Sequence, residues 1–470
     1  MPANLSLVLD VGKTNAKISL WNDAGACVAR KVRANPAAGD GRYPALDLQG
    51  LETFVAETVR EMAQLGAVRR IIPVTHGAAA VVMVDGAILA PPVDYEIEVS
   101  AELSADYDAQ RDPFAATGSP NLPNGLNLGR QLHVLESLLG LLPEAAKIVL
   151  WPQYWAWRFC GVLASEVSSL GCHTDLWRPE EGRPSDLAIR RGWADRLPPV
   201  RPASAVLGLV TREWVEAGLP SDCAVLCGLH DSNSALVAAR GHAEIAQNDA
   251  TILSTGTWFV AMRSLGAGGA KPPPLDPDRD CLLNVDVAGR PAPSARFMGG
   301  RESERIAGLD SFHITENYNP EGLLADLPRL MATGAMVLPT FAPGFGPFPG
   351  REGQFINPPE TLDEKRALLG LYLALLSDTC LDLIGTQDRI LVEGRFAEAE
   401  VFVRALASLR APAKVFVSNA HDDVPFGALR LVFPDLAPRS PLKAVEPLAD
   451  PIDAYRAAWR RRLQDSPASP

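Results

Sequence analysis

The residues of this chain that could do chemistry lie in a short turn near the N-terminus and in two later stretches. An apolar run, Leu5 to Leu9, ends in Asp10; Gly12-Lys13-Thr14-Asn15 turns the chain, and Ala16 to Trp21 again has strand character. The glycine lets backbone N–H groups face outward, and Thr14, Asn15 and Lys17 add hydroxyl, amide and ammonium donors. Such a concave donor set suits phosphate oxygens, with Asp10 placed to meet a bound Mg²⁺ or its waters. The same design recurs at Thr251 to Val260, where Ser254-Thr255-Gly256-Thr257 forms the turn between two strands. Two phosphate-type hairpins, one near the start of each half, point to two related lobes with a nucleotide between them.

A third stretch supplies a different group. Ala224 to Cys227 reads as a short buried strand that opens into Gly228-Leu229-His230-Asp231-Ser232-Asn233-Ser234, and Ala235 to Arg240 turns helical. Asp231 therefore stands at a helix start, where the dipole would keep it ionised. A plain N-cap is the alternative use of that position. His76, in Thr75-His76-Gly77 at the end of a strand, is placed either to hydrogen-bond a polar ligand or to serve the fold.

Other elements must hold these groups in place. Leu51, Phe54, Val55, Thr58, Val59 and Met62 recur at helical spacing, which predicts an amphipathic helix over 48–65. Arg70 to Val74 is a strand, and a hairpin turns at Asp85-Gly86. Residues 96–126 are polar and rich in Asn, Pro and Gly toward their end, which predicts a long loop or an insertion, a candidate lid over a site. Leu128 to Leu142 reads as a helix, and the aromatic run Trp151 to Trp157 suits an inter-helix core better than a stacking platform. Glu166, Ser169, His173, Thr174 and Asp175 form a polar run that could line a pocket, and residues 178–204 read as surface. In the second half, Glu364 to Asp382 is a long helix. Arg389 to Glu393 is a strand ending at Gly394, where a base or ribose can approach backbone. Strands alternating with helices imply an α/β protein with mixed sheets.

Composition narrows the function classes. The chain has 470 residues and a formal net charge of -12 that is spread along it, which argues against nucleic acid or an anionic membrane surface as a principal partner. Its 7 cysteines are scattered without ligand spacing, as for buried thiols in a reducing compartment. No basic leader and no membrane-length apolar run is present, so the expected location is the cytoplasm, with a homodimer as the candidate assembly.

Taken together, Asp10-x-Gly12-x-Thr14-Asn15-x-Lys17 resembles the first phosphate motif of the FGGY carbohydrate kinases. Ser254-Thr255-Gly256-Thr257 is similar to their second, and Gly228-x-His230-Asp231 to the loop carrying their catalytic aspartate. Thr75-His76-Gly77, with Asp85-Gly86 and Pro91 after it, resembles the sugar-side segment. The resemblance implies two ribonuclease-H-like lobes of the actin and hexokinase type around a central cleft. The expected domains are an N-terminal lobe, 1–241, a nucleotide-side lobe, 242–440, and a tail, 441–470. It implies ATP and Mg²⁺, with Asp231 as base and Asp10 as catalytic and metal residue. The nucleotide would meet Gly12, Thr14, Asn15, Lys17, Ser254, Thr255, Gly256, Thr257, Gly394 and Arg395, and the sugar would meet His76, Gly77, His230 and Asp231. The Gly-His-Asp loop, with Glu166, His173 and Thr174, leans toward the rhamnulokinase and L-fuculokinase branches. One departure is Arg395, where the family commonly has a second glycine at its adenosine motif; it would close over the base or displace it. The rival readings are a nucleotide-dependent interaction protein of the actin or chaperone kind and a sugar-binding regulator that has lost catalysis.

Overall fold

The computed structural model describes residues 4–39, 41–266, 271–309, 313–316, 319–418 and 423–465. The chain forms two compact units, Met1–Gly241 with Leu283–Pro291 and Asp422–Ala437, and His242–Leu282 with Ala292–His421 and Pro438–Pro470. The first break falls between Gly241 and His242, and two later segments lie with the first unit.

The first unit is built on a mixed sheet. The Asn4–Val11 strand is apolar and buried along nearly its whole length. It runs antiparallel to Asn15–Asn22, with Asp10 opposite Lys17, and parallel to Ala67–Thr75, with Val11 opposite Thr75. Cys27–Ala34 extends the sheet on one side, and Ala224–Leu226 and Val206–Leu209 on the other. A buried central strand flanked on both sides needs helices on both faces. The Leu48–Met62 and Trp151–Cys160 helices supply one layer, and Ala428 and Leu429 of the Asp423–Arg430 helix pack on the other. The sheet brings chemistry together at one end: Leu229–His230 pairs in parallel with Val74 and Thr75, so Asp10, His76 and His230 follow the carboxyl ends of neighbouring strands.

The second unit repeats the plan. Ala250–Thr255 is antiparallel to Phe259–Ser264 and parallel to Arg389–Gly394, which is parallel to Lys414–Val417. The Leu362–Leu383 and Glu400–Arg410 helices contribute its core. The expected ribonuclease-H-like strand order is therefore present in each unit.

Two expectations need correction. Residues 96–126 are not one long loop: they contain the Ala101–Gln110 helix, capped by Ser100, and the short Phe114–Thr117 helix. The first shows no apolar stripe because it buries only Tyr107, whose hydroxyl donates to Asp175 at 2.6 Å. Residues 178–204 are not all surface, since Leu187 and Trp193 are completely buried. In the C-terminal segment the Asp453–Asp465 helix buries Tyr455, Trp459 and Leu463 in the core of the second unit. The aromatic run does pack as predicted, Trp151, Tyr154 and Trp155 lying in one buried cluster. Among the described residues no helix is long and apolar enough to cross a membrane.

Candidate active site

The first turn is closed by a hydrogen bond from Gly12 N to Asn15 O at 3.0 Å, and a side chain at position 12 would press on that carbonyl. Asn35 pins it from the neighbouring strand, its backbone N donating to Thr14 O and its Nδ2 to Gly12 O, both at 2.8 Å. Thr14 and Asn15 are left exposed. Lys13 does a different job: its Nζ lies 2.6 Å from both carboxylate oxygens of buried Asp94, and 5.2 Å from the Tyr95 ring centroid. It ties the turn to the segment that sets Tyr95 edge-on against His76, ring centroids 5.8 Å apart. Neither Asp94 nor Tyr95 stood out in the sequence, because their partners are distant along the chain.

Behind the turn lies a group of ionisable side chains. Asp10 is buried at the strand end with Lys17 Nζ 3.7 Å from Oδ2. Burial pushes its carboxyl up to about 7; Lys17 opposes the shift and the Asp231 carboxylate adds to it. Asp231 opens the Asp231–Ala239 helix, as expected, and its Oδ1 accepts from Ser232 N at 2.6 Å. Desolvation raises its pKa and so opposes the dipole that favours the ionised form, although 29% of the side chain stays exposed.

Two histidines flank this carboxylate. His76 Nδ1 donates to Gly77 O at 3.0 Å, which leaves a lone pair on Nε2; that atom is buried and has no partner among the described residues. Burial lowers the His76 pKa, so the ring is neutral. Burial brings His230 down to about 4. Gly77 is a glycine because a Cβ there would stand 2.4 Å from Cys172 Sγ and 3.0 Å from His230 Nε2. Gly228 is required by its φ of +79° and by Pro73 O, 2.2 Å from where a Cβ would be.

Much of the polar run after Glu166 is engaged with protein groups. Glu166 is fully buried and accepts from the backbone N of Ser168 and Ser169 at 2.9 and 3.0 Å. His173 Nδ1 donates to Leu126 O at 2.7 Å, and Arg111 Nε and Nη2 clamp Asp175 at 2.9 Å. This run supports the site from behind: Ser168 Oγ accepts from His230 N at 3.3 Å.

In the second unit the Ser254–Thr257 turn divides its roles. Thr255 is buried; its hydroxyl donates to Glu393 O at 2.5 Å and accepts from Phe396 N at 3.1 Å. It is occupied in joining two strands. Ser254 and Gly256 are half-buried and Thr257 is exposed. Gly394, at φ +84°, lies so close to Thr255 O that a Cβ would stand 2.1 Å from it, and Arg395 beside it is exposed.

Among the described residues no group of three or more His, Cys, Asp or Glu could hold a metal alone. Mg²⁺ held through one carboxylate, water and nucleotide phosphates needs no such group, and Asp10 fits that single role.

A family profile described as "Carbohydrate kinase FGGY, C-terminal domain" matches residues 247–440. The structure of a carbohydrate kinase from Novosphingobium aromaticivorans is 48% identical, covers 97% of this chain and 100% of its own, and superposes with a TM-score of 0.92. Ligand-bound xylulose kinase from Lactobacillus acidophilus shares the fold at 14% identity and a TM-score of 0.76, over 98% of this chain and 96% of that one. Plasmodium falciparum glycerol kinase with ADP does so at 13% and 0.77, over 100% and 99%. No curated protein matches.

Proposed function

The chain belongs to the FGGY carbohydrate kinase family, and from that premise we propose that it phosphorylates a ketose of the L-rhamnulose or L-fuculose type with Asp231 as the base. The family makes it a carbohydrate kinase that uses ATP; the acceptor and the residue roles are the proposal. The observation that carries it is the setting of Asp231, a carboxylate at a helix start whose proton affinity is raised by burial while part of it still reaches solvent.

The acceptor hydroxyl would donate its hydrogen bond to Asp231. As its oxygen forms the new bond to the γ-phosphorus and the bond to ADP breaks, the proton passes to the carboxylate. A raised pKa suits a carboxyl that must take up a proton late in the step. His76 presents only a lone pair at Nε2, so it would receive a second sugar hydroxyl as donor, beside Gly77. Thr14, Asn15 and Lys17 are the exposed donors for phosphate oxygens on the first unit, and Thr257, with Ser254 and Gly256, on the second. Gly394 and Arg395 would meet the nucleoside. Asp10 would hold Mg²⁺, which when bound neutralises phosphate charge.

The test is ADP release by purified protein over a panel of ketoses and polyols. L-rhamnulose or L-fuculose should exceed glycerol and D-xylulose in kcat/KM by a wide margin; a preference for either of the latter overturns the acceptor. Asp231→Asn should still bind sugar but lose about 10²–10⁴-fold in kcat. A near wild-type rate would make Asp231 a helix cap.

A further inference from the structure

His230 lies beside the proposed base in sequence and would pass for a ligand of the sugar, yet both of its ring nitrogens face protein. Nε2 is 3.2 Å from Asp231 Oδ1 and 3.4 Å from Cys172 Sγ. Nδ1 is 3.4 Å from Asn233 Nδ2. The ring is buried. A neutral imidazole carries one proton, and an ionised carboxylate can only accept. The Nε2 edge therefore meets Asp231 favourably only if the proton is on Nε2. Nδ1 is then a lone pair and requires a donor, which the Asn233 amide N–H supplies. Turning that amide over would present its oxygen to Nδ1, draw the proton there, and set the Nε2 lone pair against the carboxylate. In this orientation Asn233 Oδ1 is buried without a hydrogen-bond partner among the described residues.

We propose that His230 is a positioning residue for Asp231, locked by Asn233 in the tautomer that donates from Nε2, and that it is not a ligand of the sugar. With Ser232 N and Oγ at 2.6 and 3.3 Å on the same oxygen, the His230 N–H fixes Asp231 Oδ1 from the protein side. Oδ2 is left as the oxygen available to the acceptor hydroxyl. Cys172 packs against the same ring edge and against Gly77, and so keeps the imidazole from sliding away from the carboxylate. The geometry parallels the use of a second residue to hold a catalytic group in one rotamer and one hydrogen-bonding state.

The inference rests on Asp231 being the base, and the experiments separate the two. Nitrogen-15 NMR of histidine-labelled wild-type protein, with His230→Gln used to identify the ring signals, reads the tautomer directly. A protonated Nε2 and bare Nδ1 are expected; a proton on Nδ1 overturns the proposal whatever the kinetics show. His230→Leu should lower kcat about 10- to 100-fold with the sugar KM within about twofold, because only alignment is lost. His230→Gln, whose amide can again donate near the Nε2 position, should recover kcat to within about fivefold of wild type. In an Asp231→Asn background, His230→Leu should change kcat by less than about twofold, since the two act as a unit. A rise in sugar KM with kcat retained, in either background, would make His230 a sugar ligand and overturn the proposal. If Asp231→Asn alone keeps its rate, the base assignment has failed, and the NMR result still decides the tautomer.

Discussion

The ammonium of Lys17 stands 3.7 Å from the carboxylate of Asp10, directly opposite it in the antiparallel pair that frames the first turn. Even with that partner, burial holds Asp10 at about 7, well above the 3.8 of a free side chain. The carboxylate proposed to hold the metal is thus shifted into the neutral range in the free enzyme. The expected consequence is an acid limb near pH 7 in kcat/KM for MgATP, with roughly tenfold loss per unit below it. Protons and Mg²⁺ compete for one site, so raising free Mg²⁺ should move the limb to lower pH. Kinetics against pH at two Mg²⁺ concentrations check this; a limb that ignores Mg²⁺ would separate Asp10 from the metal.

The same residue sets a cost in stability whose sign can be worked out. A carboxyl whose folded pKa lies above its unfolded value takes up a proton on folding. Its contribution therefore falls as the pH rises from 3.8 to about 7, and the full penalty is present above that. Asp10→Asn is neutral throughout and escapes the penalty. In metal-free buffer it should be more stable than wild type by about 4 kcal/mol at pH 8 and about 2 kcal/mol at pH 5. Urea melts at the two pH values measure the difference. Equal stability at both would mean that water reaches Asp10 freely.

Thr255 and Thr257 share a turn and should behave oppositely. Thr255→Val removes the hydroxyl that bonds both the Glu393 carbonyl and the Phe396 N–H, for a loss of about 1–3 kcal/mol in stability. Thr257 is exposed. Thr257→Val should leave the melt unchanged and raise the KM for MgATP several-fold, as for one lost hydrogen bond of about 1 kcal/mol. If Thr255→Val alone weakened MgATP use, at full stability, the division of roles would be reversed.

The contrast between those threonines also shows what the sequence could and could not disclose. Strand, turn and strand were legible at both hairpins because apolar runs broken by glycine and asparagine have one simple reading. Asp231 at a helix start was legible for the same local reason. What escaped was everything decided at long range. Lys13 carried no assigned role in the first turn, and only the fold brings Asp94 to it from 81 positions away. Cys172 gave no signal at all, since its partner His230 lies 58 positions on. The Ala101–Gln110 helix was missed because a helix that is polar all round has no period to detect. The burial that raises the Asp231 pKa escaped as well, because a helix dipole can be read from sequence and burial cannot.

Gly427 bears on the placement of Asp231 from outside the chemistry. It lies on the Asp423–Arg430 helix, and a Cβ there would stand 1.7 Å from the backbone oxygen of Ser234. Ser234 belongs to the helix that begins with Asp231, one turn further on, and its hydroxyl donates to Val424 O at 2.7 Å. The two helices are in backbone contact at this point, and only glycine permits it. Gly427→Ala must push them apart by more than 1 Å, at a cost of about 1–3 kcal/mol for overpacking. The displaced helix carries Asp231, and an error of that size in a catalytic group can cost on the order of 10²-fold in rate. We therefore expect kcat to fall about 10- to 100-fold with stability reduced but the protein folded. Gly86→Ala is the control: Gly86 has a positive φ, +80°, that alanine disfavours, but nothing lies within 4 Å of the added carbon. It should lose about 1–2 kcal/mol of stability and keep its kcat. Assays at a temperature where both variants are folded by circular dichroism distinguish displacement from simple destabilisation. If Gly427→Ala kept the wild-type kcat there, the contact with Ser234 would have no part in placing Asp231.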